Sequence, residues 1–350
     1  MDAWSRDWTP FSSSLPHKTN VVSVELCSMK PEKDFPHAFI DLAKLGRTDW
    51  QAIALTILIL ACVIAVSTLG ALLLPIPGMP AYRSLYFEHF SILAAFNSLL
   101  LDAGSPVGVF GFWLACKFAL RRPFRSLISI DLKFRVRRFL LGAALYQLAF
   151  MVGVAAMWLY AGLRFDIWTS PIGHFQLPKT DPNVNPILKV SLALITLLGI
   201  AFLAFGEELY MRGWMTQTIG QYIRIPVVVV VLVAVLFAMF HTQYKWPVKI
   251  EMFFCALGFS ALSLRDRRLE LAVGAHSMMN IWVTLTPMFF TGSHSNTHIL
   301  IPDAIVFALI KGALPFALMY WFLQKTKGWF APVGESLPHI ENAVSAEHCS

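Results

Sequence analysis

Residues 50–82 contain no Asp, Glu, Lys or Arg. A hydrocarbon core of about 30 Å is crossed by about 20 residues of helix, so this stretch alone can span a bilayer. In lipid every backbone N–H and C=O must find a partner within the fold, and a single apolar run satisfies that requirement as an α-helix. The remainder of the chain keeps the same character. Its 350 residues are 57% hydrophobic and only 14% charged, against roughly 25% charged in a soluble domain. The expected fold class is an all-α, polytopic transmembrane bundle of about eight spans.

Eight apolar runs read as helices: 50–74, 90–120, 139–163, 187–205, 226–240, 252–264, 269–286 and 299–323. The second is long for one span, and the turn sequence from Asp102 to Pro106 predicts a break in it. The sixth is short. Basic residues cluster between alternate runs: Arg121, Arg122, Arg125, Lys133, Arg135, Arg137 and Arg138 in one connection, Arg265, Arg267 and Arg268 in another, and Lys325 and Lys327 after the last. Short cytoplasmic loops carry such an excess, so both termini are expected in the cytoplasm. The net charge of +7 then reports orientation and not nucleic-acid binding, since no basic domain interleaved with aromatics is present.

The expected organisation is an N-terminal cytoplasmic tail over 1–48, a membrane domain over 49–325 and a C-terminal cytoplasmic tail over 326–350. No secretory signal is read at the start. Five scattered cysteines show neither metal-knuckle nor redox spacing. The absence of an internal repeat argues against a transporter.

Polar groups inside apolar runs are costly and mark functional sites by default. The fourth run ends in Glu207 and Glu208 with Arg212 following. Glu208 and Arg212 are helical neighbours, whereas Glu207 is rotated by about 100° and left for another partner. Phe237 and His241 share a face at the end of the fifth run, and His276 and Asn280 share one in the seventh. Asp102 reads as a turn or cap residue, Lys311 as lining the cavity or snorkelling, and His294 and His298 as exposed loop residues that could bind a metal if helical; all four are placed outside the site.

These three ordered pairs, covering roughly 190–285, resemble the motifs of the CAAX protease and bacteriocin-processing family of intramembrane endopeptidases, related to the type II CAAX prenyl protease. The resemblance implies a protease-like core at about 187–290 and hydrolysis of a peptide bond in a membrane-anchored, in some branches prenylated, substrate. It implies Glu207 and His241 as activators of water, His276 and Asn280 as oxyanion donors, and Glu208, Arg212 and Phe237 as support. Water attack on an amide develops charge on the carbonyl oxygen, and fixed donors stabilise it. No metal is required. A zinc set of Glu207, His241 and His276 with an open water position stays open as the alternative. A bacterial cytoplasmic membrane is the expected location. A non-catalytic scaffold or immunity protein, and more remotely a proton-coupled transporter, are the competing function classes.

One difficulty is depth. If the fourth helix stopped with its apolar run, Glu207 would lie near the surface and the histidines deeper, so that helix is expected to be long, tilted or bent.

Overall fold

The computed structural model describes residues 35–73, 104–175, 186–242, 244–291 and 301–326. Asp102, His294, His298 and most of both expected tails lie outside them. Among the described residues the order is α1 (Phe35–Ile40) with a following 3₁₀ turn (Asp41–Leu45), α2 (Trp50–Leu73), α3 (Gly104–Ala115) extended by a π-helical turn (Cys116–Leu120), and α4 (Val136–Phe165). Next come α5 (Pro186–Glu208), a π-helical turn (Leu209–Met215), α6 (Thr216–Tyr222), α7 (Pro226–Phe240), α8 (Trp246–Asp266) and α9 (Glu270–Phe289). α10 (Ile301–Ala308) passes through a third π-helical turn (Leu309–Ala313) into α11 (Leu314–Lys325). Two short strands, β1 (His174–Phe175) and β2 (Phe290–Thr291), pair antiparallel.

The chain is an all-α membrane bundle. Every apolar run is helical wherever it is described, and α7 has the same limits as its run because Pro226 sits at its first position, where a missing N–H costs nothing. Helical length does not make each run a full span. Among the described residues, Val136–Phe165, Trp246–Asp266 and Ile301–Lys325 are long and apolar enough to cross a membrane, with a fourth span if Ala38–Leu45 and Trp50–Val66, bent by 88°, act together. At 15 residues, α7 is about 22 Å long, short of a 30 Å core. The sixth run, read as short, is extended at both ends, mainly at its N-terminal one, and becomes the 21-residue α8.

The helix α9 lies at the centre, packed on α4, α5 and α8. Its approach to α4 is backbone on backbone. A Cβ on Gly274 would come within 2.0 Å of the Phe139 carbonyl oxygen, and one on Gly142 within 2.3 Å of that of Leu271. Small residues permit such contacts in membrane bundles, where van der Waals packing replaces the hydrophobic effect between helices. Gly274→Val should therefore cost about 3 kcal/mol by overpacking, read as a lowered melting temperature in detergent. Gly108→Ala, with nothing within 4 Å of its added Cβ, should leave it unchanged.

One end of the bundle collects the basic connections and pairs them. Arg268 is fully buried and bonds Glu270 at 2.7 Å and Asp131 at 2.7 Å. Arg138 pairs with Asp266, and Arg265 donates to the Leu323 carbonyl at 2.9 Å. Residues 35–45, inside the segment expected to be a polar tail, also fold in here: Phe39 and Ile40 are buried, Arg122 donates to the Leu42 carbonyl, and Arg224 pairs with Asp41 at 2.7 Å. An apolar Phe-Ile pair supplies the surface and the neighbouring charges find partners.

Burial alone would raise the Asp131 carboxyl, but hydrogen bonds and charge from Arg268 hold it at about 2, below its ordinary 3.8. A depressed carboxylate stabilises the fold above its unfolded pKa and loses that contribution as pH falls through the folded one. Acid unfolding between about pH 4 and 2 should accordingly flatten in Asp131→Asn, followed by circular dichroism.

Candidate active site

The glutamate pair is not at a helix end. α5 runs on through the π-helical turn into α6 and stops at Tyr222, although the apolar run ends at Phe205. Thr216 and Gln217, which lie beyond that run, are buried. Gln217 accepts from Arg122 at 2.8 Å and donates to the Ser126 carbonyl at 2.9 Å.

This continuation resolves the depth difficulty. Gly213 passes the Leu127 carbonyl, where a Cβ would lie 2.7 Å away, and the Leu269 amide donates to the Ile128 carbonyl at 3.0 Å. Gly213 and Glu270 thus sit at the level of one connection. Glu207 lies six residues from the first and His276 six from the second, so both are about 9 Å from that level. The expected long helix is found.

At that depth His276 bridges the two carboxylates. Its Nδ1 is 2.8 Å from Glu208 Oε1 and its Nε2 is 3.4 Å from Glu207 Oε2. Glu208 and Arg212 are both fully buried and are joined at 2.9 Å across one helical turn. Arg212 spends its remaining donors on the Ala256 carbonyl at 3.0 Å and Ser260 Oγ at 3.4 Å. Its guanidinium lies between the rings of Phe237 at 4.8 Å and Phe259 at 5.1 Å, an arrangement that favours a desolvated cation.

The two glutamates are therefore unlike. Glu208 is sealed and neutralised by Arg212, while the Glu207 side chain is 30% exposed and its Oε2 accepts no hydrogen bond among the described residues. With Nδ1–H of His276 directed at Glu208, a lone pair on Nε2 would face the Glu207 carboxylate. Two acceptors do not bond each other, so an N–H at Nε2 is what would turn this contact into a hydrogen bond.

Phe237 is the hub of the remaining residues. Its ring is 4.6 Å from that of His241 and 6.0 Å from that of His276. His241 follows directly on α7, and its Nδ1 is 2.7 Å from the Phe237 carbonyl oxygen. A carbonyl only accepts, so Nδ1 carries the hydrogen and Nε2 is left as an acceptor. Asn280, half-buried one turn beyond His276, bonds to no described residue. The structure thus joins Glu207, Glu208, Arg212 and His276 by direct contact, brings His241 up through Phe237, and sets Asn280 on the His276 face.

Sequence reasoning missed Phe259, whose ring stacks on His276 at 4.5 Å, and the Ala256 and Ser260 acceptors. They share one face of α8 at helical spacing, but no motif distinguishes them from ordinary core. As arranged, the residues do not form a metal set: among the described residues no three His, Cys, Asp or Glu side chains converge to hold an ion. Both nitrogens of His276 are turned to carboxylates, and Nδ1 of His241 to a carbonyl.

Residues 189–282 match the family described as type II CAAX prenyl endopeptidase Rce1-like. The chain carries an Rce1-like core. That core holds all three motif pairs and the helices α5 to α9 that present them, and the match supports an intramembrane, protease-like function. The chain is also 25% identical over 235 residues to the uncharacterized protein YyaK of Bacillus subtilis (strain 168), covering 62% of this chain and 72% of that one. No solved structure matches it.

Proposed function

We propose that the protein is an intramembrane endopeptidase of glutamic type, cleaving a membrane-anchored, in some cases prenylated, peptide or protein with water activated at Glu207. The contact that carries this reading is His276 between the two glutamates. Glu207 is the reachable carboxylate, and His276 supplies the group through which its proton is shared. Water attacking the scissile carbonyl gives its proton to Glu207, and the same proton passes to the leaving amine as the C–N bond breaks. General-base assistance of this kind contributes about 10² to 10⁴-fold.

Nε2 of His241, fixed as an acceptor, orients the water from the second side. Asn280 and His276 serve the developing oxyanion, Asn280 with its amide N–H and His276, whose nitrogens are directed at the carboxylates, with its positive charge while it bears protons on both. Glu208 and Arg212 hold His276 in place and do not touch the reacting atoms. We take the basic end of the bundle as cytoplasmic from the excess of Lys and Arg there; on that reading both termini are cytoplasmic, the site is in the inner half of the bilayer, and the membrane we propose is a bacterial cytoplasmic one.

The test is a comparison of peptide termini in membrane fractions of cells producing wild-type or Glu207→Gln protein. The reading requires termini that appear with wild type and vanish with the variant. An identical set of termini in both, with both proteins at equal abundance, would favour a scaffold that keeps the fold without turnover.

A further inference from the structure

A second ion pair, part-buried, lies away from Glu207. Lys311, on the π-helical turn between α10 and α11, pairs with Glu251 of α8 at 2.9 Å. The two helices meet closely enough that a Cβ on Gly312 would lie 2.7 Å from the Glu251 carbonyl oxygen. The pair borders a cavity of about 270 Å³, walled mainly by Tyr146, Phe150, Met157, Trp282, Val283 and Ile310. π-helical turns recur at functional sites, and intramembrane ion pairs mark them.

The donor inventory of this cavity does not close. Trp282 Nε1 donates to Gln147 at 2.7 Å, and the Thr286 hydroxyl to the Trp282 carbonyl at 2.7 Å. An ammonium has three N–H donors, and the described acceptor of Lys311 is Glu251. The hydroxyl of Tyr146, a residue only 2% exposed, likewise bonds to no described residue. Two donor groups with unspent hydrogens thus line a mostly apolar space whose charges already cancel.

We infer that this cavity is a lipid site: it takes one acyl chain of an ester lipid, with the ester carbonyl accepting from Lys311 and Tyr146. A neutral acceptor fits because a second carboxylate beside Glu251 would leave uncompensated charge in a low-dielectric space. At about 30 Å³ per small group in a condensed phase, the volume holds roughly nine methylenes of a single unbranched chain. Val283, on the wall, is 51% exposed at the surface of the bundle, which is where a chain would enter. The cavity is backed by the face of α9 carrying Met279 and Trp282, next to the face carrying His276 and Asn280.

The experiment uses the full chain in detergent micelles and a photoactivatable diacyl ester lipid, with its ether-linked analogue, which lacks the carbonyls, as the paired probe. Cross-links are mapped by mass spectrometry. The ester probe should label Tyr146, Met157 or Trp282 about tenfold more than the ether probe, the scale of one hydrogen bond. E251Q/K311M, which keeps the cavity neutral, and Y146F should each lower ester labelling towards the ether level, and V283W should block both probes. Glu207→Gln should label as wild type does, which separates this site from the peptidase reading. Equal labelling by the two probes, or ester labelling unchanged in both polar variants, overturns the proposal. So does labelling of these residues by a photoactivatable transmembrane peptide and not by the lipid.

Discussion

Purified Glu207→Gln protein is expected to fold normally and to lose about 10³-fold or more of its peptidase rate, the upper range for removal of a general base. The substitution keeps the shape of the side chain and leaves the Glu208–Arg212 contact untouched, so melting temperature should move little. What changes is that an amide cannot take a proton from water. His276→Ala should fall by about 10² to 10³-fold, because it removes both the proton partner of Glu207 and an oxyanion donor. His241→Ala should lose less, since it contacts the glutamates through Phe237 and not directly. A Glu207→Gln enzyme that cleaves its substrate at the wild-type rate would remove Glu207 from the chemistry. If activity is lost together with a stoichiometric zinc measured by elemental analysis of the purified wild type, Glu207 acts as a ligand and not as the base.

Much of this site is legible from residue spacing, and the limits of that legibility are physical. The Glu208–Arg212 contact follows from a separation of four, because such residues share a helical face whatever surrounds them. For the same reason Glu207 must point elsewhere. Phe237 with His241 and His276 with Asn280 obey the same rule. The partner of Glu207 is another matter, since it depends on where α9 lies against α5, and α9 is seated on α4 through glycines at 142 and 274 whose role no local pattern marks.

The length of the fourth helix was hidden for a related reason. Gln217 is satisfied by Arg122 and the Ser126 carbonyl, both distant in sequence, while Thr216 donates to the Met211 carbonyl within its own helix. Residues 35–45 looked like tail because their charges find partners far along the chain, Asp41 in Arg224. Glu251 and Lys311, 60 residues apart, could not be paired by any periodicity. For Gln217, Asp41 and the Glu251–Lys311 pair the partner is distant in sequence, so no local pattern shows that the residue is satisfied inside the fold.

Arg212→Met should destabilise the protein by about 3 to 5 kcal/mol, the usual cost of stripping one member from a buried ion pair. The magnitude follows from what is left behind. Glu208 is fully buried, one of its oxygens already lacks a hydrogen bond among the described residues, and its remaining polar contact is His276. Glu208→Gln/Arg212→Met should recover most of that loss, because replacing both partners removes the uncompensated charge as well as the attraction. If the single and the double variant melt alike, Arg212 is not the counter-ion of Glu208, and the assignment of Glu207 as the free glutamate loses its basis. Activity should not return with stability. In the double variant the Nδ1–H of His276 loses its carboxylate acceptor, so the charge-assisted contact that positions the ring beside Glu207 is gone. Stability restored without turnover is the outcome that separates a positioning role for Glu208 and Arg212 from a purely structural one.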